Sequence, residues 1–160
     1  MFAEMVRYWP DTPMNDSLSS AITIRVITPE QTYPLRHAVL WPDKPFEYVK
    51  VENDSEGYHF GAFLADDLVA VISLFVDGGM ARFRKFAARP DYQRRGIGTQ
   101  LLNQVIDEAR RLGATTLWCD ARLDAADFYR RFGMEAVSDV FYKGPIPYAK
   151  FSRTLLWIIS

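Results

Sequence analysis

The most regular pattern of apolar and polar positions lies just after residue 100. Apolar side chains recur there at every third or fourth position, which predicts an amphipathic helix with one buried face. These residues are Leu101, Leu102, Val105, Ile106, Ala109 and Leu112. Gly113 follows them, and glycine commonly ends a helix because it adopts the left-handed backbone without a steric penalty. The rest of the chain is organised around this helix.

Shorter stretches on both sides of the helix alternate or are rich in β-branched and aromatic residues, and they predict strands. The predicted strands cover residues 22–26, 58–65, 68–76, 80–88, 115–119, 134–142 and 148–159. The second, third and fourth are separated only by short turn sequences, so we expect them to form an antiparallel meander. This meander delivers the chain to the turn that precedes the central helix.

Two further helices are predicted. The first covers residues 29–40, with a capping-box pattern at Thr28 and a kink or restart at Pro34. The second covers residues 125–132, with Asp124 as its cap and Gly133 at its end. Residues 42–56 form a long loop, which is often a functional segment in a compact domain. The predicted order is therefore β-α-β-β-β-α-β-α-β-β.

The length of 160 residues favours a single domain, which we assign to residues 21–160. Residues 1–20 show no sustained periodicity and are interpreted as an N-terminal extension. Net charge is close to zero, with 19 basic and 20 acidic residues, which argues against a general nucleic-acid or anionic-membrane binder. A basic, aromatic-rich stretch at residues 82–95 keeps nucleic-acid binding as a minor alternative, opposed by the acidic loop at residues 47–56.

The single cysteine, Cys119, excludes an internal disulfide and a multi-cysteine metal site. The sequence shows neither an apolar run of about eighteen residues nor a signal-peptide pattern. We therefore expect a cytoplasmic protein that neither spans a membrane nor uses a metal. Cys119 itself lies in an apolar strand, which favours a core residue over a nucleophile.

The turn before the central helix has the composition of an anion site. Gly96 and Gly98 leave room for a ligand to approach the backbone, and the first N–H groups of a helix lack intrahelical partners. These amides and the positive end of the helix dipole attract an anion such as a pyrophosphate. Arg94 and Arg95 add charged donors at the same place. A plain strand-to-helix turn with solvated arginines is the alternative.

Two segments resemble a known family. Gln93-Arg94-Arg95-Gly96-Ile97-Gly98 resembles the Q/R-x-x-G-x-G/A signature of GNAT-superfamily N-acetyltransferases, and residues 124–134 resemble the family's A-x-x-F-Y-x-x-x-G-F segment. The resemblance covers about residues 22–158. It implies a mixed α+β fold (α/β in the broad sense), with a mostly antiparallel central sheet flanked by helices, and acetyl-CoA as co-substrate.

The resemblance also implies roles for individual residues. Arg94, Arg95, Gly96, Ile97, Gly98 and Thr99 would hold the pyrophosphate of acetyl-CoA. The backbone of Phe86, Ala87 and Ala88 would pair with its pantetheine arm. Tyr129 would be the general acid that protonates the leaving thiolate, although its spacing with neighbouring apolar residues also fits a core aromatic. The implied reaction is direct transfer of the acetyl group to a primary amine, which we expect to belong to a small molecule.

The sequence differs from the family pattern at the position expected for the general base. Several members carry a glutamate on the fourth strand, but this chain has Arg82-Phe83-Arg84-Lys85 there. Glu52, Glu56, His59 and Asp120 are the possible substitutes, and Asp120, at the end of the fifth strand, is the best placed. Because the strand glutamate is missing, a non-catalytic acyl-CoA-binding sensor of the same fold is the alternative function.

The acceptor and the assembly are less constrained by the sequence. The arginines of the fourth strand could meet a carboxylate on the acceptor, or they could be paired on a solvated face. The apolar residues 155–159 would make a poor exposed edge, which suggests burial in a homodimer.

Overall fold

The computed structural model describes residues 21–93 and 95–155, and within these ranges eight strands form one sheet. Their bounds are β1 Ile22–Ile27, β2 Tyr58–Leu64, β3 Asp67–Asp77, β4 Met80–Ala88, β5 Thr116–Arg122, β6 Glu135–Ala136, β7 Phe141–Lys143 and β8 Ile146–Thr154. The strand order is β1-β2-β3-β4-β5-β8-β6, and β7 also pairs with β8. Of the described pairs, β4–β5 is parallel and the others are antiparallel. The predicted fold class is confirmed.

The first two helices follow the sequence pattern closely. Helix α1, Pro29–Leu35, begins with the predicted capping box, in which Thr28 and Gln31 each accept from the other's backbone N–H. It continues as a π-helical turn, Arg36–Leu40, so the predicted kink after Pro34 takes the form of a change in helix type. Helix α2, Ile97–Arg111, is followed by Gly113 with φ of +84°.

Helix α3, Ala126–Arg130, is shorter than predicted because a 3₁₀ turn, Leu123–Ala125, precedes it. The prediction that Asp124 caps this helix is wrong. Its carboxylate instead accepts from the Arg122 guanidinium, with an Nη2–Oδ2 distance of 2.7 Å. The local ion pair therefore replaces the cap.

The core on both sides of the sheet is aromatic and aliphatic. In β5 the exposure alternates: Leu117, Cys119 and Ala121 are fully buried, whereas the intervening Trp118 and Asp120 are partly exposed. Helix α2 buries its predicted face against β1, β2, β3 and β4. Cys119 is accordingly a core residue, as predicted.

Between β4 and β5 the sheet divides. Their ladder covers only Met80–Arg82 against Thr116–Trp118. Beyond it β4 continues along β3 as far as Ala88, and β5 continues along β8 as far as Arg122. We call this divergence the fork. Past this ladder the two strands no longer pair with each other.

The ends of the chain bear on two predictions, the N-terminal extension and the homodimer. Residues 1–20 lie outside the described ranges, so the proposed extension stays a prediction. The last strand begins earlier than predicted and ends at Thr154, and Leu155 is buried. Because residues 156–160 are not described, the homodimer also stays a prediction.

The strand predicted for residues 134–142 is divided into β6 and β7. Among the described helices none is both long and apolar enough to cross a membrane.

Candidate active site

The fork and the start of α2 bring together most of the residues predicted to hold acetyl-CoA. Phe86, Ala87 and Ala88 form the end of β4 and are fully buried. Gln93 donates from its side-chain amide to the carbonyl of Ala88 at 3.0 Å. This bond ties the end of β4 to the glycine turn, so the two predicted binding segments are held together.

The start of α2 has a glycine in the left-handed conformation. Gly96 occupies the N-cap position with φ of +80°, a conformation that favours glycine. Within the described part of the chain no side chain caps this helix. Ile97 and Gly98 are buried, and Thr99 is exposed in the first turn. The open first turn therefore suits an anionic ligand.

Of the two arginines in the motif, Arg95 belongs to the described part of the chain. Arg95 is exposed, and its guanidinium carbon lies 5.8 Å from the centroid of the Tyr92 ring. Arg94 lies outside the described residues, so its predicted role as a pyrophosphate ligand stays a prediction.

Tyr129 lies at the fork. Its ring packs against Phe83, the residue of β4 that directly follows the last pairing with β5, at a centroid distance of 5.9 Å. It also packs against Phe128 at 5.1 Å and Phe151 at 6.4 Å. Burial raises the pKa of the Tyr129 phenol well above its ordinary value, and Cys119 and Tyr148 raise it further. Both interpretations of the sequence, core aromatic and acid, are compatible with this position.

A bulge precedes the buried end of β4. Ser73 pairs with Arg84 and Val71 pairs with Ala87, so β4 has one residue more than β3 in this interval. Lys85 lies in the bulge with φ of +56°, a conformation that non-glycine residues rarely adopt. The bulge changes the side-chain alternation of β4 just before Phe86.

A cavity of about 900 Å³ opens beside this bulge. Its walls come from the loop segment (residues 42–56), from β4 and from the turn between β7 and β8. Its lining residues include Trp41, Tyr48, Glu52, Arg84, Lys85 and Lys143. The size is typical of small-molecule sites. The predicted loop thus contributes a wall to a cavity, and two 3₁₀ turns, Phe46–Val49 and Asp54–Glu56, give it shape.

Asp120, the predicted base, lies in an ion pair. Its Oδ2 is 3.1 Å from Arg82 Nη2 and 3.9 Å from Nζ of Lys143. Because Lys143 also lines the cavity, Asp120 is separated from that space by one side chain. Of the alternatives, Glu52 lines the cavity directly, whereas Glu56 borders a smaller depression on the other side of Asn53.

A buried polar network holds the loop segment in place. The Arg36 guanidinium is fully buried and donates to both carboxylate oxygens of Asp54, at 2.8 and 2.9 Å. It also donates to the carbonyl of Val49 and to the hydroxyl of Ser73. Burial by itself raises the pKa of Asp54, but hydrogen bonds from Arg36 and the Val51 amide, with the Arg36 charge, lower it below its ordinary value.

His59 completes this network, so it does not reach the cavity as a base. Its Nε2 contacts the Asp54 carbonyl at 2.8 Å, and a carbonyl only accepts, so Nε2 carries the proton. In the neutral ring Nδ1 then accepts from the Ser73 hydroxyl at 2.7 Å. Burial lowers the pKa of His59, and the Arg36 charge lowers it further, against the opposing effects of Asp54 and Glu30.

Comparisons with known proteins agree with this geometry. The Acetyltransferase (GNAT) family matches residues 24–134, well over half of the chain. The chain belongs to this family. It is 26% identical over 129 residues to the uncharacterized N-acetyltransferase YitI of Bacillus subtilis, covering 75% of this chain and 87% of that protein.

Two other proteins are similar to this chain in sequence or in fold. The [ribosomal protein bS18]-alanine N-acetyltransferase of Salmonella typhimurium is 36% identical over 91 residues, which span 56% of this chain and 59% of that protein. A solved aminoglycoside 6'-N-acetyltransferase complexed with coenzyme A shares the fold, with a TM-score of 0.69 and 18% identity over 86% of this chain and 99% of that one. The GNAT assignment makes this chain an acyl-CoA-dependent acetyltransferase.

The Arg36–Asp54 pair and the lysines that line the cavity were not predicted from the sequence as site residues. One signal for the pair was present, because Arg36 shares a helical face with Thr32 and Leu40, both buried. A charged residue on such a face implies a buried partner. The bulge at Lys85 has no comparable signal, since lysine is not a residue typical of positive φ.

Proposed function

We propose that this GNAT acetyltransferase moves the acetyl group of acetyl-CoA directly to a primary amine of a small molecule. The fork is the observation that carries the proposal. It opens the sheet between β4 and β5, next to the Tyr129 ring and in line with the buried end of β4. An extended thioester ligand fits such an opening, and the cavity beside Lys85 is the adjacent space for an acceptor.

The residues present fit acetyl-CoA. Ile97, Gly98 and Thr99 would present first-turn N–H groups to its pyrophosphate, with Gly96 leaving the approach open and Arg94 and Arg95 supplying positive charge. The backbone of Phe86, Ala87 and Ala88 would bind its amide-containing arm. Acetyl-CoA supplies the acetyl group as an activated thioester.

Tyr129 would serve the leaving sulfur. A phenol with a raised pKa keeps its proton throughout the neutral range, so it is available to donate to a thiolate that forms beside it. The ring packs against Phe83, the first residue of β4 beyond its pairing with β5. The surrounding aromatic rings limit water there, which strengthens a hydrogen bond to the sulfur.

The proton of the acceptor amine would pass to a carboxylate at the cavity. Asp120 remains our proposed base, acting through water next to Lys143, and Glu52 is the alternative because it lines the cavity itself. The variants Asp120→Asn and Glu52→Gln distinguish them. Loss of the base should lower kcat by roughly 10²-fold, whereas the other substitution should leave most of the activity.

The first experiment measures acetyl-CoA binding by calorimetry. Gly96→Glu should abolish it, because the new carboxylate would occupy the pyrophosphate position. Gly113→Glu is a matched control: it has a similar positive φ of +84° at the other end of α2 and open space around its Cβ. Equal affinity of wild type and a folded Gly96→Glu variant would contradict the proposed grip on acetyl-CoA.

The second experiment measures thiol release across a panel of amino acids, simple amines, polyamines and aminoglycosides. The panel also contains a peptide with an N-terminal alanine, since the relative from Salmonella typhimurium is named for such an acceptor. We expect saturable release with a small amine. Binding of acetyl-CoA without amine-dependent release across the panel would support the non-catalytic sensor instead.

A further inference from the structure

We propose that the acceptor is an amine that also carries a carboxylate, and that Arg84 and Lys85 of β4 bind this carboxylate. The inference rests on the acetyl-transfer function proposed above, and it specifies the acceptor that the cavity would take. It follows from the charge of the cavity walls, the placement of Lys85 and the chemistry that an amine needs before it can attack a thioester.

The cavity walls are strongly cationic although the chain as a whole has a formal net charge of −1. Five cationic residues line the cavity against two anionic ones, an excess of three positive charges. The cationic residues are Lys44, Lys50, Arg84, Lys85 and Lys143, and the anionic ones are Asp43 and Glu52. A concave wall with this excess attracts an anionic ligand.

Position in the fold distinguishes Arg84 and Lys85 from the other cations of the cavity. Lys44 and Lys50 belong to the loop segment, and Lys143 is the last residue of β7. Arg84 and Lys85 belong to β4, the strand that leads to the predicted acetyl-CoA site. They are therefore the cations best placed to hold an acceptor beside the thioester.

Lys85 is the most unusual of the lining residues. Its exposed fraction is 7%, and its backbone has a φ of +56° within the bulge. Unfavourable backbone conformations cluster at sites where ligands bind. The bulge places this side chain in the cavity wall, one residue before the buried segment that begins at Phe86.

The other walls suit the carbon skeleton of a small acid. Trp41 and Tyr48 pack edge to face, with ring centroids 4.8 Å apart, and both line the cavity. They provide apolar contact area next to the cations. A polyamine or an aminoglycoside would instead place several ammonium groups against Arg84 and Lys85, which is unfavourable.

The same cations assist the reaction. An amine attacks a thioester only in its neutral form, and a nearby like charge lowers the pKa of an ammonium. Arg84 and Lys85 would therefore bind the carboxylate of the acceptor and favour the neutral form of its amine.

The test compares acids with their amides, which have nearly the same shape. The probes are L-glutamate with L-glutamine, L-aspartate with L-asparagine, and β-alanine with β-alaninamide, with spermidine as a polycation. Binding to the protein saturated with coenzyme A is measured by calorimetry, and kcat/KM by thiol release with acetyl-CoA. We expect at least one acid to bind about tenfold more tightly than its amide, as expected for a charge-assisted hydrogen bond.

Variants assign the preference to the two cations. Arg84→Gln and Lys85→Asn should each weaken binding of the preferred acid by about tenfold and leave its amide unchanged. Asparagine accepts positive φ, so the Lys85→Asn variant retains the bulge, and Lys85→Arg should restore the preference. Lys150→Gln is the matched control, because Lys150 is an exposed lysine of β8 that lies over Trp118, outside the cavity.

The outcomes separate this inference from the proposed function. Charge-dependent binding of an acid without thiol release would support the inference and contradict acetyl transfer. Efficient acetylation of amides or spermidine, equal to that of the acids, would support acetyl transfer and overturn the inference. The inference is also overturned if no acid binds at millimolar concentration, or if the acid preference survives in both Arg84→Gln and Lys85→Asn.

Discussion

The loop segment and the fork are both parts of the proposed active site, yet different interactions hold them in place. The loop segment is tied to the sheet by the buried Arg36–Asp54 pair, with His59 and Ser73 completing the network. At the fork the Tyr129 ring is held by aromatic packing against Phe83, Phe128 and Phe151.

This difference has consequences for how each region tolerates change. Hydrogen bonds and ion pairs are directional, and loss of one partner leaves the other buried without compensation. Aromatic packing depends mainly on volume and tolerates removal of one polar atom when the ring is kept. The acceptor side should therefore be sensitive to charge and pH, and the fork to side-chain size.

The largest effect is expected from Arg36→Met, which leaves the Asp54 carboxylate buried without its partner. Loss of one member of a buried ion pair destabilises a protein by about 3–5 kcal/mol, and urea denaturation measures this change. Arg130→Met is the control, because its pair with Asp127 is exposed and should contribute little. A double variant, Arg36→Met with Asp54→Leu, should recover part of the loss. Equal stability of Arg36→Met and wild type would contradict the importance of the network.

A smaller effect is expected from Tyr129→Phe, which should change the activation free energy of the reaction and leave the stability nearly unchanged. The ring and its packing remain, so the melting temperature should change little, whereas kcat should fall by roughly 10²-fold if the phenol serves the leaving thiolate. The measurements are kcat with the best acceptor, acetyl-CoA affinity and a melting curve. Phe128→Leu is a useful comparison, since it alters the packing and retains the phenol. An unchanged kcat in Tyr129→Phe would make Tyr129 a core residue.

The smallest effect is a pH dependence of stability that originates in the loop segment. The pKa of His59 is lowered in the folded protein, so below its ordinary pKa the unfolded chain binds more protons than the folded one. The free energy of unfolding should then be unaffected by His59 above about pH 7, and it should fall as the pH drops below about 6.5. The slope from this single group is at most about 1.4 kcal/mol per pH unit.

Substitution of the two histidines tests this origin. The chain has only His37 and His59, so unfolding measured from pH 5 to 8 in His59→Gln should lose the slope, and His37→Gln should keep it. Asp54 adds to the loss of stability only at lower pH, because its pKa is lowered from an already acidic value. A slope that persists in His59→Gln would place the acid sensitivity elsewhere.

The sequence alone determined the order of most elements and the position of the glycine turn that begins α2. Helix α2, the capping box at Thr28 and the left-handed Gly113 depend on neighbours within a few positions, so local spacing is sufficient to predict them. Residues 93–98 and 124–134 also carried the family resemblance, because the glycines and aromatics they require are close together in sequence.

Only the tertiary structure decided how distant residues combine. Arg36 donates to Asp54, 18 positions later, and to Ser73, 37 positions later. No local sequence pattern links these residues. The ion pair of Asp120 with Arg82 likewise joins β5 to β4 across the fork, 38 positions apart. The cavity and the bulge at Lys85 exist because strand register and loop packing bring these segments together, and register is set by contacts between strands rather than by the residues of one strand.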